Sequence, residues 1–147
     1  MIRPARPSDA QALARLQSFL DAPAPELLAS LAAVGTCLVA VEESDDRPVG
    51  YLLVIDGEDA HLAELVVHPE HRREGHARAL LEAAIERSAP GTRVTLVVAV
   101  DNDPARSLYE SLGFREIESR PEFYEENGES TDAVVYAYDV GRDGTEP

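Results

Sequence analysis

The period of the apolar positions changes several times along the chain, and each change marks an element. Ala12, Leu13, Leu16, Phe19 and Leu20 lie three and four apart, the stripe of an amphipathic helix. Ser8 and Gln11, just after Pro7, stand where the two halves of a capping box would open that helix, with Ser8 as its N-cap. Pro23 and Pro25 interrupt it, and a second short helix over residues 26–33, carrying Leu27, Leu28 and Leu31, stops at Gly35. The period then falls to two, with Cys37, Val39 and Val41 on one face of a strand over residues 36–42. A polar turn at 44–48 predicts that residues 49–55 return as its hairpin partner.

After Asp56-Gly57 a strand is predicted over residues 61–67, closed by His68-Pro69. Ala77, Leu80, Leu81, Ala84, Ile85 and Ser88 then restore the helical period from about Gly75, and Pro90-Gly91 breaks it. Residues 94–100 are nearly all apolar, the pattern of a strand covered on both faces. Asp103-Pro104 reads as an N-cap followed by a first-turn proline, with Ala105, Leu108, Tyr109 and Leu112 as the inner stripe and Gly113 as the stop. Two more strands, 114–120 and 132–140, are separated by a polar loop. The order predicts an α/β mixed sheet in one domain over residues 1–140, with 141–147 as a flexible tail.

Composition narrows the class. With 147 residues and 44% hydrophobic content the chain can bury a core. No apolar run approaches the roughly 20 residues that span a bilayer, and the first ten residues lack the apolar core of a secretory signal. One cysteine, Cys37, allows no internal disulfide, and its alternation with Val39 and Val41 makes it a core residue; a cytoplasmic location is expected. There are 28 acidic residues against 13 basic ones, for a net charge of −15, and every basic residue is arginine. Such a surface repels polyphosphate and excludes a general nucleic-acid binder. Carboxylates without lysine also predict a salt-rich, halophilic setting, where screening removes the self-repulsion.

Against that acidity, Arg72, Arg73 and Arg78 form the densest basic patch, in a loop between a strand and a helix that starts at Gly75. Amides of residues 73–77 would point outward at the positive end of the helix. Gly75 allows close approach to the backbone and Ala77 keeps the next turn uncrowded, so a pyrophosphate-like anion is the predicted ligand. His68, His71 and His76 span the same turn without CxxC or HExxH spacing, and no metal site is predicted from them.

This pattern resembles the GNAT superfamily of acyl-coenzyme-A-dependent N-acetyltransferases. Arg72, Gly75 and Ala77 meet the family's Arg/Gln-x-x-Gly-x-Gly/Ala motif, and Asn102 to Phe114 is similar to its N-x-x-A-x-x-L-Y-E-x-L-G-F segment, about 25 residues later. Residues 109–114, with Phe123-Tyr124 and Asp132-Ala133, look most like the ribosomal-protein-type N-terminal acetyltransferases. The resemblance implies a single GNAT-like domain whose central, mostly antiparallel sheet has six to seven strands and helices on both faces. It also implies acetyl-CoA as cosubstrate and direct acetyl transfer to a primary amine, either a protein N-terminus or a small amine. Leu65, Val66 and Val67 would receive the pantetheine and acyl carbonyl. Arg72, Arg73, Glu74, Gly75, His76, Ala77 and Arg78 would hold the pyrophosphate, and Asn102 would contact the cofactor. Tyr109 matches the family's proton donor to the leaving thiolate, Tyr124 an aromatic of the peptide groove, and a homodimer would be in keeping with the family.

The general base is the departure. Relatives carry glutamate five residues before the asparagine, where this chain has Val97. Glu64 and His61 are the remaining candidates, and their spacing of three puts them on opposite faces of a strand. An α-amine with a pKa near 8 needs less help than a lysine near 10.4, so the missing glutamate favours a low-pKa acceptor. The competing expectations are a coenzyme-A-binding sensor that has lost catalysis and a structural dimer module.

Overall fold

The structure, a computed structural model, describes residues 1–20, 28, 36–42, 44–126 and 128–141. In chain order these form β1 (Ile2–Pro4), α1 (Ala10–Gln17), β2 (Cys37–Val41), β3 (Pro48–Ile55), β4 (Asp59–Val67), α2 (His76–Arg87), β5 (Arg93–Ala99), α3 (Asp103–Ser111), β6 (Arg115–Glu126) and β7 (Glu129–Asp139). The strands make one seven-stranded sheet in the order β1-β2-β3-β4-β5-β7-β6. The helix predicted over residues 26–33 lies outside the described residues except for Leu28, which is helical and buried. The predicted tail lies outside them from residue 142. Two compact units cluster out, Met1–Asp56 with Leu62–Arg87 and Gly57–His61 with Ser88–Pro147, so β4 contributes to both.

In the first unit β1, β2 and β3 pair antiparallel, with Val39 opposite Arg3 on one side and Tyr51 on the other. β2 is buried at every position. Cys37, Val39 and Val41 pack with Leu13 and Leu16 of α1, while Leu38 and Ala40 point the other way, and α2 packs against β1, β2 and β3. Each fully buried leucine here contributes roughly 1.5–3 kcal/mol. Gly50 is required by proximity, because a Cβ there would stand 2.8 Å from the Val66 carbonyl oxygen of β4.

Two expectations fail at the ends of α1. Ser8 is not its cap. It lies in a 3-10 turn, Pro7–Asp9, that leads into the helix, and Asp9, at the N-cap position, caps no amide of α1: its carboxylate accepts the Arg6 amide at 2.7 Å and both prongs of the Arg3 guanidinium at 2.8 and 3.1 Å. A carboxylate with an arginine opposite it makes stronger, charge-assisted bonds than a serine hydroxyl can. Arg3 and Arg6 also reach Asp46, at 3.0 and 2.7 Å. Phe19 falls beyond the helix end, off the apolar stripe; it is exposed and meets the His68 ring edge-on at 5.1 Å.

In the second unit β5 and β6 each pair antiparallel with β7. β5 is not covered on both faces: Val94, Leu96 and Val98 are buried, and Thr95, Val97 and Ala99 are half-buried on the other side. The polar loop expected between the last two strands is mostly strand. β6 runs on to Glu126 and β7 begins at Glu129, with register shifts between Glu116 and Glu118 and between Arg120 and Tyr124. As an edge strand β6 is exposed through residues 115–123, so no burial alternation marks its continuation past the predicted end at residue 120. Pro121, which has no amide to give, sits in the second shift beside Glu122 (φ 52°), whose amide bonds Asp132 at 2.9 Å. α3 is tied to β7 by Tyr136, which donates to Glu110 at 2.6 Å and accepts from Arg106 at 3.0 Å.

Candidate functional site

In the first unit, β4 ends where the His68 amide donates to the Val49 carbonyl at 2.8 Å. A short 3-10 turn, Pro69–His71, follows. Arg72 Nε reaches back to the Val67 carbonyl at 3.3 Å and braces the loop against the strand end. Arg73 and Gly75 then take left-handed conformations (φ 66° and 84°). A Cβ on Gly75 would have nothing within 4 Å, so backbone conformation and open access, not crowding, call for glycine there. Arg73 holds its φ at a cost of about 1–2 kcal/mol. The first intrahelical bond runs from the Ala79 amide to the Gly75 carbonyl at 3.0 Å, so the amides of Gly75, His76 and Ala77 precede the ladder of α2. Arg72, Arg73 and Arg78 are all exposed around this turn. Of the three β4 residues expected to line the same site, Val66 is buried and Leu65 and Val67 are half-buried.

The histidines of the loop do different things. His68 accepts the Glu70 amide on Nδ1 at 3.0 Å. His71 Nδ1 lies 3.0 Å from Glu42 and 3.3 Å from Glu74, and His76 Nε2 lies 3.0 Å from Glu74. Hydrogen bonds from His71 and then His76 hold the Glu74 carboxyl below its usual range. Glu42 at this corner is a partner that no sequence motif announces.

The two candidate bases differ sharply. Glu64 is buried, its Oε1 accepting the Tyr51 hydroxyl at 2.8 Å and the Gln17 amide at 3.1 Å. Burial, reinforced by the Glu64 hydrogen bond, pushes the Tyr51 phenol well above its ordinary value. Neither Tyr51 nor Gln17 figured in the sequence reading, although Gln17 continues the stripe of Leu13 and Leu16, and Glu64 shares the period-two face of Leu62 and Val66. His61, in the second unit, is half-buried with Nδ1 3.0 Å from Thr95 Oγ1. Desolvation, with Arg120 adding to it, lowers its pKa, so it is neutral at pH 7. Cys37 is fully buried and its thiol is pushed up to about 12 by burial, an inert core group.

On α3, Tyr109 is buried against the rings of Phe114 and Tyr136, both at 6.0 Å. The helix cap is Asn102, one residue before the expected Asp103; its side-chain oxygen accepts the Ala105 amide at 3.3 Å. Val97 lies opposite Val135 on β5, and Tyr124 opposite Thr131 on β6.

Residues 8–114 match the acetyltransferase (GNAT) family. The chain belongs to that family. A putative ribosomal-protein-bS18-alanine N-acetyltransferase of Bacillus subtilis is 32% identical over 100 residues, covering 65% of this chain and 64% of that protein. A mycothiol acetyltransferase of Clavibacter sepedonicus is 39% identical over 79 residues, 54% of this chain and 26% of its own length. The chain thus spans from about a quarter to just under two thirds of these curated relatives. The crystal structure of Arabidopsis thaliana NAA60 in complex with acetyl-CoA shares the fold, with a TM-score of 0.79 at 22% identity, over 95% of this chain and 98% of that one. A seven-stranded GNAT domain is therefore observed as expected. No helix among the described residues is long and apolar enough to cross a membrane.

Proposed function

We propose that this GNAT chain is an acetyl-CoA-dependent N-acetyltransferase, and that its acceptor is a primary amine of low pKa, the α-amine of a protein that begins with alanine or serine. The observation that carries the reading is the turn at Gly75. Its left-handed backbone leads into the amides of His76 and Ala77, with exposed Arg72, Arg73 and Arg78 around them, in a chain of net charge −15. A diphosphate fits such a cradle, because backbone donors and guanidinium forks both match its oxygens. Glu74 belongs to the same turn, with its side chain directed to the histidines. Leu65, Val66 and Val67 at the end of β4 would receive the pantetheine arm. The Val67 amide is the candidate donor to the thioester carbonyl, since that of His68 is given to Val49.

Transfer needs an amine without its proton and a donor to the departing thiolate. Tyr109 is the proposed donor; a phenol carries its proton at neutral pH. Of the two candidate bases, Glu64 has its Oε1 occupied by Tyr51 and Gln17 and serves better to position them. His61 is neutral, and in the tautomer that donates Nδ1–H to Thr95 its Nε2 lone pair can accept a proton. Tyr124, on the hairpin of β6 and β7, is proposed to meet the acceptor peptide. The name of the Bacillus relative, an alanine N-acetyltransferase, supports an α-amine acceptor.

Calorimetric titration with acetyl-CoA, followed by mass spectrometry of a peptide with N-terminal alanine, tests the reading. Saturable one-site binding and acetylation of that α-amine are expected. Replacing Tyr109 by Phe should lower kcat about 100-fold with the acetyl-CoA Kd unchanged. Binding without turnover on any amine would favour a sensor, and no binding by the folded protein would overturn the phosphate assignment. The lysine-free acidity further supports a salt-adapted protein: Tm should rise between low and molar KCl, and a flat Tm would refute that.

A further inference from the structure

Four side chains at one corner of the first unit are arranged as ligands. Glu42 follows β2 directly and is held by its own backbone, which donates to Arg47 and accepts from Asp46 across the turn, at 3.2 and 3.0 Å. His71 ends the 3-10 turn after β4, Glu74 precedes Gly75, and His76 opens α2. One ligand atom from each lies within 4.8 Å of all the others. The shortest separations are 3.0 Å from His71 to Glu42, 3.3 Å from His71 to Glu74 and 3.0 Å from His76 to Glu74.

We propose that Glu42, His71, Glu74 and His76 bind one divalent transition-metal ion of the zinc class. An ion with bonds of about 2.0–2.2 Å to four tetrahedral ligands separates neighbouring ligand atoms by about 3.3–3.6 Å. Of the three contacts given, two are a little shorter than that edge and one matches it, and the other separations are at most 4.8 Å, so rotations of these side chains would bring all four ligand atoms around an ion. Two carboxylates balance the ion's double charge, and two neutral imidazoles supply nitrogen. That donor set selects zinc-like ions over magnesium or calcium, which take oxygen ligands. His68 is outside the set, its Nδ1 already taken by the Glu70 amide. The ligands come from the end of β2 and from both sides of the 71–76 turn, so the bound ion ties the loop to the β2–β3 hairpin. The site rests on this geometry alone and stands or falls independently of the acetyltransferase reading.

The test is calorimetric titration of chelator-treated protein with zinc chloride, beside magnesium chloride. One zinc per chain is expected, with no comparable heat from magnesium. Glu42→Gln and His71→Asn should each weaken zinc binding at least tenfold, and His68→Asn should leave it unchanged. A zinc-dependent rise in Tm of several degrees at a hundredfold excess over Kd is expected for the parent and not for Glu42→Gln. The metal-free Tm of each variant shows that it folds, and cobalt(II) absorption of four-coordinate type in the parent reads the geometry directly. Absence of saturable zinc binding, equal affinity in the Glu42 and His71 variants, or equal loss in His68→Asn would overturn the site.

Discussion

The helices of this protein begin in different ways, and the contrast locates its chemistry. At the head of α1 the Asp9 carboxylate closes on the Arg6 amide and the Arg3 guanidinium. At the head of α3 the Asn102 side chain closes on the Ala105 amide. At the head of α2 stands Gly75, with no side chain to cap anything and open space where a Cβ would be. Among the described helices, α1 is led in by a 3-10 turn that the Asp9 carboxylate closes, and α3 is capped by its own Asn102 side chain. The start of α2 presents the positive end of its dipole with arginines exposed beside it. A start closed by side chains contributes to stability, and a glycine start with exposed arginines beside it is suited to binding an anion.

Breaking the closed start of α1 should have the largest effect. Asp9→Ala removes the principal partner of the buried Arg3 guanidinium, which keeps Asp46, a loss of about 2–3 kcal/mol in unfolding free energy by denaturant titration. Acid sharpens the same point. The Arg3 hydrogen bond, foremost, holds the Asp9 carboxyl below its ordinary value, which is also its value in the unfolded chain. Its stabilisation is therefore complete above the ordinary aspartate range and is lost as pH falls through the lower folded value. The parent should lose stability on acidification through that window, and the Asp9→Ala protein should lose less. Equal slopes would remove Asp9 from the account.

The open start of α2 should respond in the opposite sense. Arg72→Glu with Arg73→Glu puts negative charge beside the exposed amides and should weaken acetyl-CoA about tenfold to a hundredfold by calorimetry. The unfolding free energy should stay within about 1 kcal/mol of the parent, because these side chains are exposed and Arg72 loses only its bond to the Val67 carbonyl. Unchanged affinity would show that the basic turn is not the phosphate cradle.

How far the sequence disclosed this molecule follows from where its signals are local. The helix at residues 76–87, the turn at Gly75 and the strand before it are legible, because apolar period, glycine and arginine spacing all act within a few residues. The two strands of the β6–β7 hairpin are legible at 114–120 and 132–140, but their continuation through residues 121–126 and 129–131 is not, because an exposed edge owes that part to backbone pairing with β7 and leaves no alternation to read. Long-range polar partners are equally hidden. Nothing near Arg3 points to Asp46, and nothing near His71 points to Glu42; sheet formation brings each to its partner. Glu64 is intermediate: its place on the buried face of β4 is readable from Leu62 and Val66, but Tyr51 and Gln17 become its partners only once α1 and β3 fold around it.

The smallest expected effect decides whether the contrast between helix starts is complete. Asn102 caps α3, and the family resemblance also leads one to expect it at the cofactor. Loss of a cap costs about 1 kcal/mol, within a range of roughly 0.5–2. Asn102→Ala should therefore lower unfolding free energy by about that amount, while Asn102→Asp, which keeps an acceptor for the Ala105 amide, should retain most of it. Acetyl-CoA affinity is the second readout. If it falls in both variants beyond the stability loss, Asn102 serves the ligand as well as the helix, and α3 is not a closed start in the way α1 is. If affinity holds while Asn102→Ala alone is destabilised, the side chain belongs to the helix, and the diphosphate is left to the turn at Gly75.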